Sequence, residues 1–592
     1  MTYTAPVSDI AHTLYDIAGL RTAIADGALG DLSADLVDAV LEEAGKFASQ
    51  QIAPLNQTGD RQGAPLNDGM VTMPDGWLDV YRQWAEAGWA GLPAPEAFGG
   101  QGLPTMLAVA VQELWNAASM AFGIGTVLTH GAVEALVAHA SPELQERYLP
   151  KLVSGEWTGT MNLTEPQAGS DLGALRSRAV PQGDGTYRIS GTKIFITYGE
   201  HDLTDNILHL VLARLPDAPS GTKGISLFLV PKILLNDDGS LGARNDVKCV
   251  GVEHKLGIHA SPTCTMAYGE GGGAIGYLVG EENRGLACMF TMMNNARLQV
   301  GIQGVAIAER AYQQALAYAR ERKQGRAPGA GGPDMSPIIE HPDVQRMLLT
   351  MKALTHAARA ICYVTAAAID QAHRDDDEAR RAEGQLLANL LTPVAKAFAT
   401  DIGVDVASLG VQVHGGMGYV EETGAAQHLR DARITPIYEG TNGIQAIDLV
   451  MRKITQDGGD VVAAYIEELR QTARVVMDLD DPALGQAGYC LNEAVEALEE
   501  ATNWLLKTLR DDQVAALAGA TPYLRLFGLT AGGAYLTRGA LAARNSGANA
   551  ADKVALARFY AETLLGEVAA LRTRVITGAP SFKAAAAELL AS

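Results

Sequence analysis

The chain has few cysteines for its length, with five in 592 residues, and none are spaced as CxxC or as a cysteine–histidine ligand set. A disulfide-stapled scaffold and a zinc site are therefore not indicated, and isolated thiols favour a reducing compartment. HExxH, GxSxG and P-loop sequences are also missing. Their absence argues against a metalloprotease, a hydrolase of the nucleophile-elbow type and an NTPase, and we expect no metal site.

Positive charge is also scarce. The 46 Lys and Arg residues are outnumbered by 68 Asp and Glu residues, for a net charge of −22. Nucleic-acid binding needs a basic surface, so this balance disfavours it. The N-terminus shows no basic segment followed by an apolar one, and no run approaches 18 uninterrupted apolar residues. We therefore expect a cytoplasmic protein without a membrane span.

Core-forming material, by contrast, is plentiful. Apolar residues make up 47% of the chain and charged residues 19%, and the length favours several packed units. Helical periodicity dominates, as where Val300, Gly304, Ile307 and Ala311 recur every three or four residues. Ser141-Pro142 is typical of a helix start. The fold class is predicted as mainly α with a central β-domain.

A change in pattern divides the chain. Short β-type runs separated by turn residues fill the second quarter of the sequence. They include Trp157–Leu163, Tyr187–Thr197, Ile207–Ala213, Ile225–Val230 and Thr263–Tyr268. We predict an N-terminal helical domain over 1–156, a central β-domain over 157–284, a helical domain over 285–456 and a C-terminal helical extension over 457–592.

One carboxylate stands out because of the residues around it. Glu439 follows Ile437-Tyr438 and precedes Gly440-Thr441-Asn442-Gly443, after which helical spacing begins at Ile444. Glycine and asparagine after the glutamate indicate a tight turn that lets the backbone approach a ligand. A carboxylate on such a turn is suited to act as a base, although an ordinary loop glutamate has the same pattern.

Three further segments could carry chemistry, and each also has a plain structural explanation. Met161–Asp171 (MNLTEPQAGSD) offers hydroxyl and backbone donors for an anion or a ring edge, or is a capped polar turn. Lys193–Gly199 (KIFITYG) could pack a flat ring at a strand end, or belong to the β-core. Gln412–Tyr419 (QVHGGMGY) has glycines that permit backbone contact with phosphates, but it is not GxGxxG and follows no βαβ pattern.

Taken in order, these motifs resemble those of the acyl-CoA dehydrogenase family of flavoproteins. TEPQAGSD resembles the family's TEPxAGSD loop, FIT its WIT segment, ERKQGR its RKxFG region, QVHGGMGY its QxxGGxGY loop and IYEGTNGIQ its IYEGTxxIQ segment. The resemblance spans about residues 35–455. It implies a helical N-domain, a β-barrel domain and a four-helix domain, here followed by a C-terminal helical extension.

The resemblance also implies roles for individual residues. Glu439 is expected to be the catalytic base. FAD is the expected cofactor, contacted by Thr164, Ser170, Phe195, Thr197, Arg322, Gln412, His414, Gly415, Gly416, Thr441 and Asn442. The expected acyl-CoA contacts are Ser170, Asn294, Arg297, Tyr438 and Gly440. Arg322 and the Gln412–Gly416 loop would reach FAD across a subunit interface.

The implied reaction removes a proton α to the thioester carbonyl while a hydride passes from the β-carbon to the flavin. Some relatives carry the base just before the arginine that corresponds to Arg297, but here that residue is Ala296, which cannot take a proton. The assignment of the base therefore rests on Glu439. Phe195 and Tyr198 replace the tryptophan and asparagine that are usual in the family, which puts details of the FAD contacts in doubt.

The length and the added C-terminal helices resemble a larger bacterial subgroup that includes enzymes acting on 3-methylmercaptopropionyl-CoA. The expected reaction is then its conversion to methylthioacryloyl-CoA in dimethylsulfoniopropionate demethylation. Trp115, Met120, Met292 and Met293 could wall a pocket for the thioether, or fill the core. Two other functions stay open: a medium- or long-chain fatty acyl-CoA dehydrogenase, and a DNA-associated homologue with little turnover. The expected electron acceptor is an electron-transferring flavoprotein, and the alternative is an acyl-CoA oxidase, in which O₂ reoxidises the flavin. The expected assembly is a homodimer or a dimer of dimers.

Overall fold

Helices dominate the computed structural model, which describes residues 3–331, 333–546 and 550–590. Those before the sheet are α1 (Val7–His12), α2 (Leu20–Ala25), α3 (Ala34–Phe47), α4 (Leu55–Gln62), α5 (Trp77–Glu86), α6 (Thr105–Ala118), α7 (Met120–His139) and α8 (Pro142–Val153). Those after it are α9 (Gly285–Glu321), α10 (Pro342–Arg374), α11 (Glu378–His414), α12 (Ala425–Ala432), α13 (Asn442–Asp448), α14 (Asp460–Leu479), α15 (Ala487–Asp511), α16 (Gln513–Ala518), α17 (Ala520–Ser546), α18 (Ala550–Phe559) and α19 (Glu567–Leu589).

The strands lie mostly between α8 and α9. They are β1 (Leu66–Asn67), β2 (Met70–Val71), β3 (Thr158–Asn162), β4 (Arg178–Pro181), β5 (Thr186–Thr197), β6 (Ile207–Ala213), β7 (Ser226–Pro231), β8 (Ile233–Leu235), β9 (Leu241–Arg244), β10 (Val247–Val252), β11 (Thr263–Tyr268) and β12 (Ala274–Val279). The predicted fold class, mainly α with a central β-region and a further helical region at the C-terminus, is confirmed.

The contacts divide the chain into two compact units. The sheet unit comprises 47–104 and 118–296, and the helical unit comprises the described residues of 1–46, 105–117 and 297–592. The boundary falls within α9, between Ala296 and Arg297. Each unit is described separately below.

In the sheet unit, eight strands form one sheet in the order β10-β11-β5-β12-β7-β6-β3, with β4 also paired to β5. Neighbouring strands are antiparallel except β3 and β6, which are parallel. Every residue of β3, β6 and β7 is buried, as their apolar runs require. Helix α7 packs on β3 so closely that a Cβ at Gly159 would lie 2.5 Å from the Cβ of Ala132.

Helix α7 is long and apolar enough to cross a membrane by length and composition. Its most apolar window is 78% buried inside the protein. The same test is passed by core helices, and the packing of α7 on β3 is that of a core helix.

In the helical unit, the long helices α9, α10 and α11 pack together. A Cβ at Gly304 of α9 would lie 2.3 Å from the carbonyl oxygen of Ala399 on α11, so glycine permits the close approach of these helices. Arg359 of α10 is fully buried and pairs with Glu113 and Glu309 at 2.7 and 2.9 Å. Helix α17 of the C-terminal region packs against α11, where a Cβ at Gly528 would lie 2.3 Å from the ring of Phe398.

Two local features differ from the sequence-based expectation. The charged run His373–Arg381 has the composition of a solvated connection, but α10 continues to Arg374 and α11 already begins at Glu378. The Asp377 side chain caps α11 by accepting from the Ala379 N–H. Strand β12 was not expected, because it follows three glycines and contains a fourth. Its pairing between β5 and β7 supplies the order that its composition does not indicate.

Candidate active site

Glu439 lies in a tight turn between α12 and α13. Its φ is 55° and that of Gly440 is 84°, so two consecutive residues occupy the left-handed region. That conformation is strained for a glutamate and persists only where neighbouring groups hold it. Thr441 caps α13 through its Oγ1, which accepts from the Ile444 N–H at 3.3 Å.

The carboxyl group of Glu439 is half-buried and has an altered pKa. Burial raises this pKa, and the positive charges of Arg297 and Lys396 oppose the rise. The N–H of Glu439 donates to no residue in the part of the chain that the structure describes, whereas its carbonyl accepts a long bond of 3.4 Å from Gln445. The turn thus presents a weakly solvated carboxylate and an available backbone donor.

Lys396 is a site residue that the sequence reasoning did not single out. Its side chain is fully buried on α11, and its Nζ donates to the carbonyl oxygen of Gly440 at 2.9 Å and to Oδ1 of Asn442 at 2.8 Å. Burial lowers the pKa of Lys396 to about 7, against the opposing effect of Glu439 and Asp401. The only signal in the sequence was a lysine inside an apolar helical face.

The predicted substrate residues of the helical unit adjoin this turn. The Tyr438 hydroxyl donates to Gln303 of α9, whose Nε2 donates to Asn116 of α6 at 3.2 Å. Arg297 of α9 is half-buried, its pKa is lowered by burial, and both Glu439 and Asp448 oppose that shift. Asn294, three residues earlier on α9, belongs to the sheet unit and is exposed.

A second group of predicted residues lies at the C-terminal end of α11. Gln412 and His414 occupy its last turn, and the exposed Gly415 (φ 59°) and Gly416 follow it. His414 donates to the Gly410 carbonyl through Nδ1 at 2.7 Å and stacks on Tyr318 with ring centres 4.5 Å apart. Eighteen residues separate His414 from Lys396 on α11, a rise of about 27 Å along the helix axis.

Arg322 also lies away from the Glu439 turn. It is exposed just after α9, and its carbonyl accepts from the Ile338 N–H at 2.7 Å. The helical unit therefore brings Glu439, Gly440, Thr441, Asn442, Tyr438 and Arg297 into one region, and it places the Gln412–Gly416 loop and Arg322 elsewhere in the same unit.

In the sheet unit, the loop after β3 carries Thr164 and Ser170. The Thr164 carbonyl accepts from the Ile194 N–H of β5 at 2.9 Å, and Ser170 is exposed. The loop is fastened by the buried carboxylate of Glu165, which accepts from the Arg176 and Ser177 backbone at 2.6 and 3.0 Å. Glu165 also forms a buried ion pair with Lys193 of β5 at 2.8 Å.

Glu165 and Lys193 lie in the motifs TEPQAGSD and KIFITYG, but nothing in their local sequence indicates that they pair. Burial would raise the pKa of Glu165, but Lys193 and the hydrogen bonds lower it to about 2. Burial lowers the pKa of Lys193 to about 8. Both groups are therefore charged at neutral pH, and the pair ties the loop to the strand that carries Phe195.

Phe195 and Thr197 lie at the end of β5, beside a β-bulge. The pairing of β11 with β5 shifts register between Cys264 and Met266, and Phe195 has a φ of 58°. A bulge bends a strand and re-aims a side chain, and the Phe195 ring is 58% exposed. Thr197 is half-buried, and its carbonyl accepts from Thr160 at 2.7 Å.

Two of the three methionines that could line a substrate pocket are core residues in the sheet unit, and the third, Met293, is partly buried against the same core. Met120 is 1% exposed and Met292 0%. Met292 packs against α7 so tightly that a Cβ at Gly131 would lie 2.7 Å from its Cγ. Trp115, in the helical unit, is 1% exposed. These contacts match the core-filling alternative.

Models of known protein families match each region of the chain. Models of the acyl-CoA dehydrogenase N-terminal, middle and C-terminal domains match residues 36–156, 160–269 and 283–454. A model described as acetyl-CoA dehydrogenase C-terminal like matches 465–585. The matches therefore cover the helical regions, the sheet and the C-terminal extension.

Individual relatives are similar over most of the chain. A 3-methylmercaptopropionyl-CoA dehydrogenase of Ruegeria pomeroyi is 48% identical over 97% of this chain and 98% of its own. A butyryl-CoA dehydrogenase of Syntrophomonas wolfei is 39% identical over 74% of this chain and 73% of its own. The crystal structure of a Bacillus anthracis acyl-CoA dehydrogenase complexed with FAD matches with a TM-score of 0.74 at 21% identity, covering 93% and 90% of the two chains.

The chain belongs to the acyl-CoA dehydrogenase family, and it is an FAD-dependent oxidoreductase. The residues present fit that cofactor. Phe195 offers an exposed aromatic face on a bulged strand end, and the Thr164–Ser170 loop offers hydroxyl and backbone groups in the same unit.

Proposed function

We propose that the chain dehydrogenates the α,β bond of an acyl-CoA thioester with Glu439 as the base. The observation that carries this proposal is the state of that carboxyl group: it sits on a left-handed turn, half-buried, with a pKa raised by burial. Removing water raises the basicity of a carboxylate toward a weakly acidic α-proton. Substrate entry would exclude further water and strengthen this effect.

The backbone of the same turn has a second part in the reaction. The developing enolate oxygen needs a hydrogen-bond donor that is already in place. The Glu439 N–H has no acceptor among the described residues, so it is available to donate to the thioester oxygen. FAD, when bound, supplies the acceptor for the hydride that leaves the β-carbon. Phe195, Thr197, Thr164 and Ser170 would orient its ring.

For the acyl group we propose 3-methylmercaptopropionyl-CoA, converted to methylthioacryloyl-CoA. The support is the relative with that name, whose similarity extends over nearly the whole of both chains, including the C-terminal extension. The butyryl-CoA dehydrogenase matches less of the chain and at lower identity. Because it also matches, fatty acyl-CoA thioesters are the alternative substrates.

A panel of CoA thioesters tests this proposal. Purified holoenzyme would be mixed anaerobically with the 3-methylmercaptopropionyl, butyryl, octanoyl and palmitoyl thioesters, and flavin bleaching would be followed with time. The highest kcat/KM for the methylmercaptopropionyl thioester supports the proposed substrate. A preference for the octanoyl or palmitoyl thioester assigns the enzyme to fatty acyl-CoA oxidation. If none of the thioesters bleaches the flavin, the proposed reaction is wrong.

We propose an electron-transferring flavoprotein as the electron acceptor. We also propose that this chain is cytoplasmic and assembles as a homodimer or a dimer of dimers. The dimer is supported by the Gln412–Gly416 loop, which lies about 27 Å along α11 from the Glu439 region and is followed by the exposed Met417 and Tyr419. A loop so placed could serve a partner's site. Reoxidation measured with the flavoprotein and with O₂ separates a dehydrogenase from an oxidase.

A DNA-associated role has weaker support. The C-terminal extension would need a free basic surface, but several of its basic side chains are paired with carboxylates: Arg470 with Glu467 and Glu499, Arg525 with Glu567, Arg538 with Glu468 and Arg572 with Glu500. Retarded migration of duplex DNA at physiological salt would favour this role instead.

A further inference from the structure

Lys396 lies directly beneath the Glu439 turn but is not a group that the proposed reaction uses. It sits within α11, fully buried, and its ammonium group donates to the Gly440 carbonyl and to the Asn442 side chain at 2.9 and 2.8 Å. Both acceptors are uncharged. No carboxylate forms a salt bridge with this lysine among the described residues, so its positive charge is not cancelled by direct contact.

Asn442 forms further hydrogen bonds to α11, the helix that carries Lys396. Its Nδ2 donates to the Ala397 carbonyl at 3.1 Å, to Oγ1 of Thr400 at 2.9 Å and to Oδ1 of Asp401 at 2.7 Å. The first residue of α13 is therefore fixed to one and a half turns of α11, on the side where Lys396 emerges. Glu439 and Gly440 are the residues immediately before this anchor.

The turn needs such an anchor. Two consecutive left-handed residues, one of them a glutamate, are held only when surrounding contacts select that conformation. Lys396 grips the carbonyl of Gly440, the second of those residues, and so opposes rotation of the peptide that follows Glu439. A neutral side chain of the same length would lose both bonds. The Gly440 carbonyl and the Asn442 Oδ1 would then keep only the longer bonds from Gln445 at 3.4 Å and from Thr400 at 3.3 Å.

We propose that Lys396 is the positioning residue for Glu439: its ammonium group clamps the Gly440–Asn442 segment so that the carboxylate is aimed, and its charge keeps that carboxylate ionised in a poorly solvated place. The proposal rests on Glu439 being the base. Lys396 binds the Gly440 carbonyl and the Asn442 side chain, so it acts on Glu439 through the turn.

Other charges face the same place and bear on the pH test. Glu439 from the turn, Asp401 from α11 and Arg297 from α9 all act on Lys396, and Asp405 and Arg525 lie behind Asp401. Arg297 and Lys396 both favour the ionised form of Glu439. Because its pKa is about 7, Lys396 carries its charge mainly below neutral pH, which is the range of the acid limb. Removing the charge at 396 should therefore raise the pKa of Glu439 in that range, while Arg297 limits the size of the rise.

Three substitutions separate the two parts of the proposal. Lys396→Gln keeps an amide donor without the charge, Lys396→Met removes both, and Lys396→Arg keeps the charge. Lys352→Met, on α10, serves as a control for loss of a half-buried lysine away from the turn. All would be tested as full-length holoenzyme, with FAD content and melting temperature recorded first.

The kinetic readout is the pH profile of kcat/KM, whose acid limb reports the base of the free enzyme. We expect this limb to move to higher pH by about one unit in Lys396→Gln. It should stay in place in Lys396→Arg and Lys352→Met. In Lys396→Met, flavin reduction should slow by about tenfold or more. An acid limb that is unmoved in Lys396→Gln, in an enzyme with normal FAD content, overturns the electrostatic part.

A second readout needs no substrate. Hydrogen exchange of the segment 434–448 should be faster in Lys396→Met than in the wild type and unchanged in Lys352→Met. Unchanged exchange in Lys396→Met overturns the clamp. If the wild type oxidises no acyl-CoA, the proposed function fails, but the exchange result still decides the clamp. Should Lys396→Met not fold, Lys396→Leu, which also lacks a donor, carries the exchange measurement, and Lys396→Gln still carries the pH profile.

Discussion

The sheet unit and the helical unit each contain a turn that is held by a fully buried lysine, but the two lysines have different partners. In the sheet unit, Lys193 pairs with the carboxylate of Glu165 at 2.8 Å, and the charges cancel within the protein. In the helical unit, Lys396 binds a carbonyl and an amide, and its charge acts on the nearby Glu439.

This difference matches what each turn is proposed to do. The loop at Glu165 has to hold a shape against a cofactor, and a closed ion pair does so without a charge in the cofactor's surroundings. The turn at Glu439 has to keep a reactive carboxylate ionised, and an uncancelled positive charge favours that state. A buried lysine can therefore serve structure or reactivity, depending on whether its partner is charged.

Removal of the base should have the largest effect. Glu439→Gln keeps the size of the side chain but cannot accept a proton, so we expect kcat to fall by about 10²–10⁴-fold or more. Anaerobic flavin reduction by substrate measures the loss. Glu383→Gln, at an exposed position on α11, should leave the rate unchanged. Near-normal turnover by Glu439→Gln would refute the assignment of the base.

Opening the closed ion pair should mainly affect stability. Lys193→Met leaves the buried Glu165 without its cation, and breaking such a pair lowers the free energy of unfolding by about 3–5 kcal/mol. A lower melting temperature in the holoenzyme measures it. The matched control is Lys151→Met, whose pair with Glu156 is solvent-exposed and should change stability by about 0–1 kcal/mol. Equal effects of the two changes would contradict a special role for the buried pair.

The stability that Glu165 contributes should depend on pH. Its pKa is lowered to about 2 from an ordinary 4.5, so the contribution is present above pH 4.5 and is lost as the pH falls toward 2. The melting temperature of Glu165→Gln should therefore lie below that of the wild type at pH 7, and the gap should narrow as the pH falls below 4.5. A gap that widens on acidification would show that the ion pair is not its source.

The smallest effect is expected at the bulge. Phe195→Ala removes an exposed ring, so the melting temperature of the apoprotein should change little. The affinity for FAD should fall by about three- to tenfold, the value of an aromatic stacking contact. Titration of the apoprotein with FAD measures this affinity, and Phe195→Trp should restore it. An unchanged affinity in Phe195→Ala would exclude Phe195 from the flavin contacts.

Local sequence signals predicted local structure well. Ser141-Pro142 starts α8 with the Ser141 hydroxyl accepting from Leu144, and Ile207–Ala213 and Thr263–Tyr268 are strands with the predicted bounds. The Gly440–Gly443 run does lead into a helix, α13. Strand β12 escaped prediction because its glycines indicate a turn, and only its partners β5 and β7 select an extended conformation.

Residues that act through their neighbours in the sequence could be predicted, whereas residues that act through distant parts of the chain could not. Motif order was enough to place the chain in its family and to single out Glu439, because chemistry on a turn needs particular residues next to one another. The roles of Lys396 and Lys193 were hidden, because each acts on residues that are 28 to 46 positions away in the chain. A lysine within an apolar run has the same local pattern whether it is exposed or buried. Folding supplies the acceptors that decide between them.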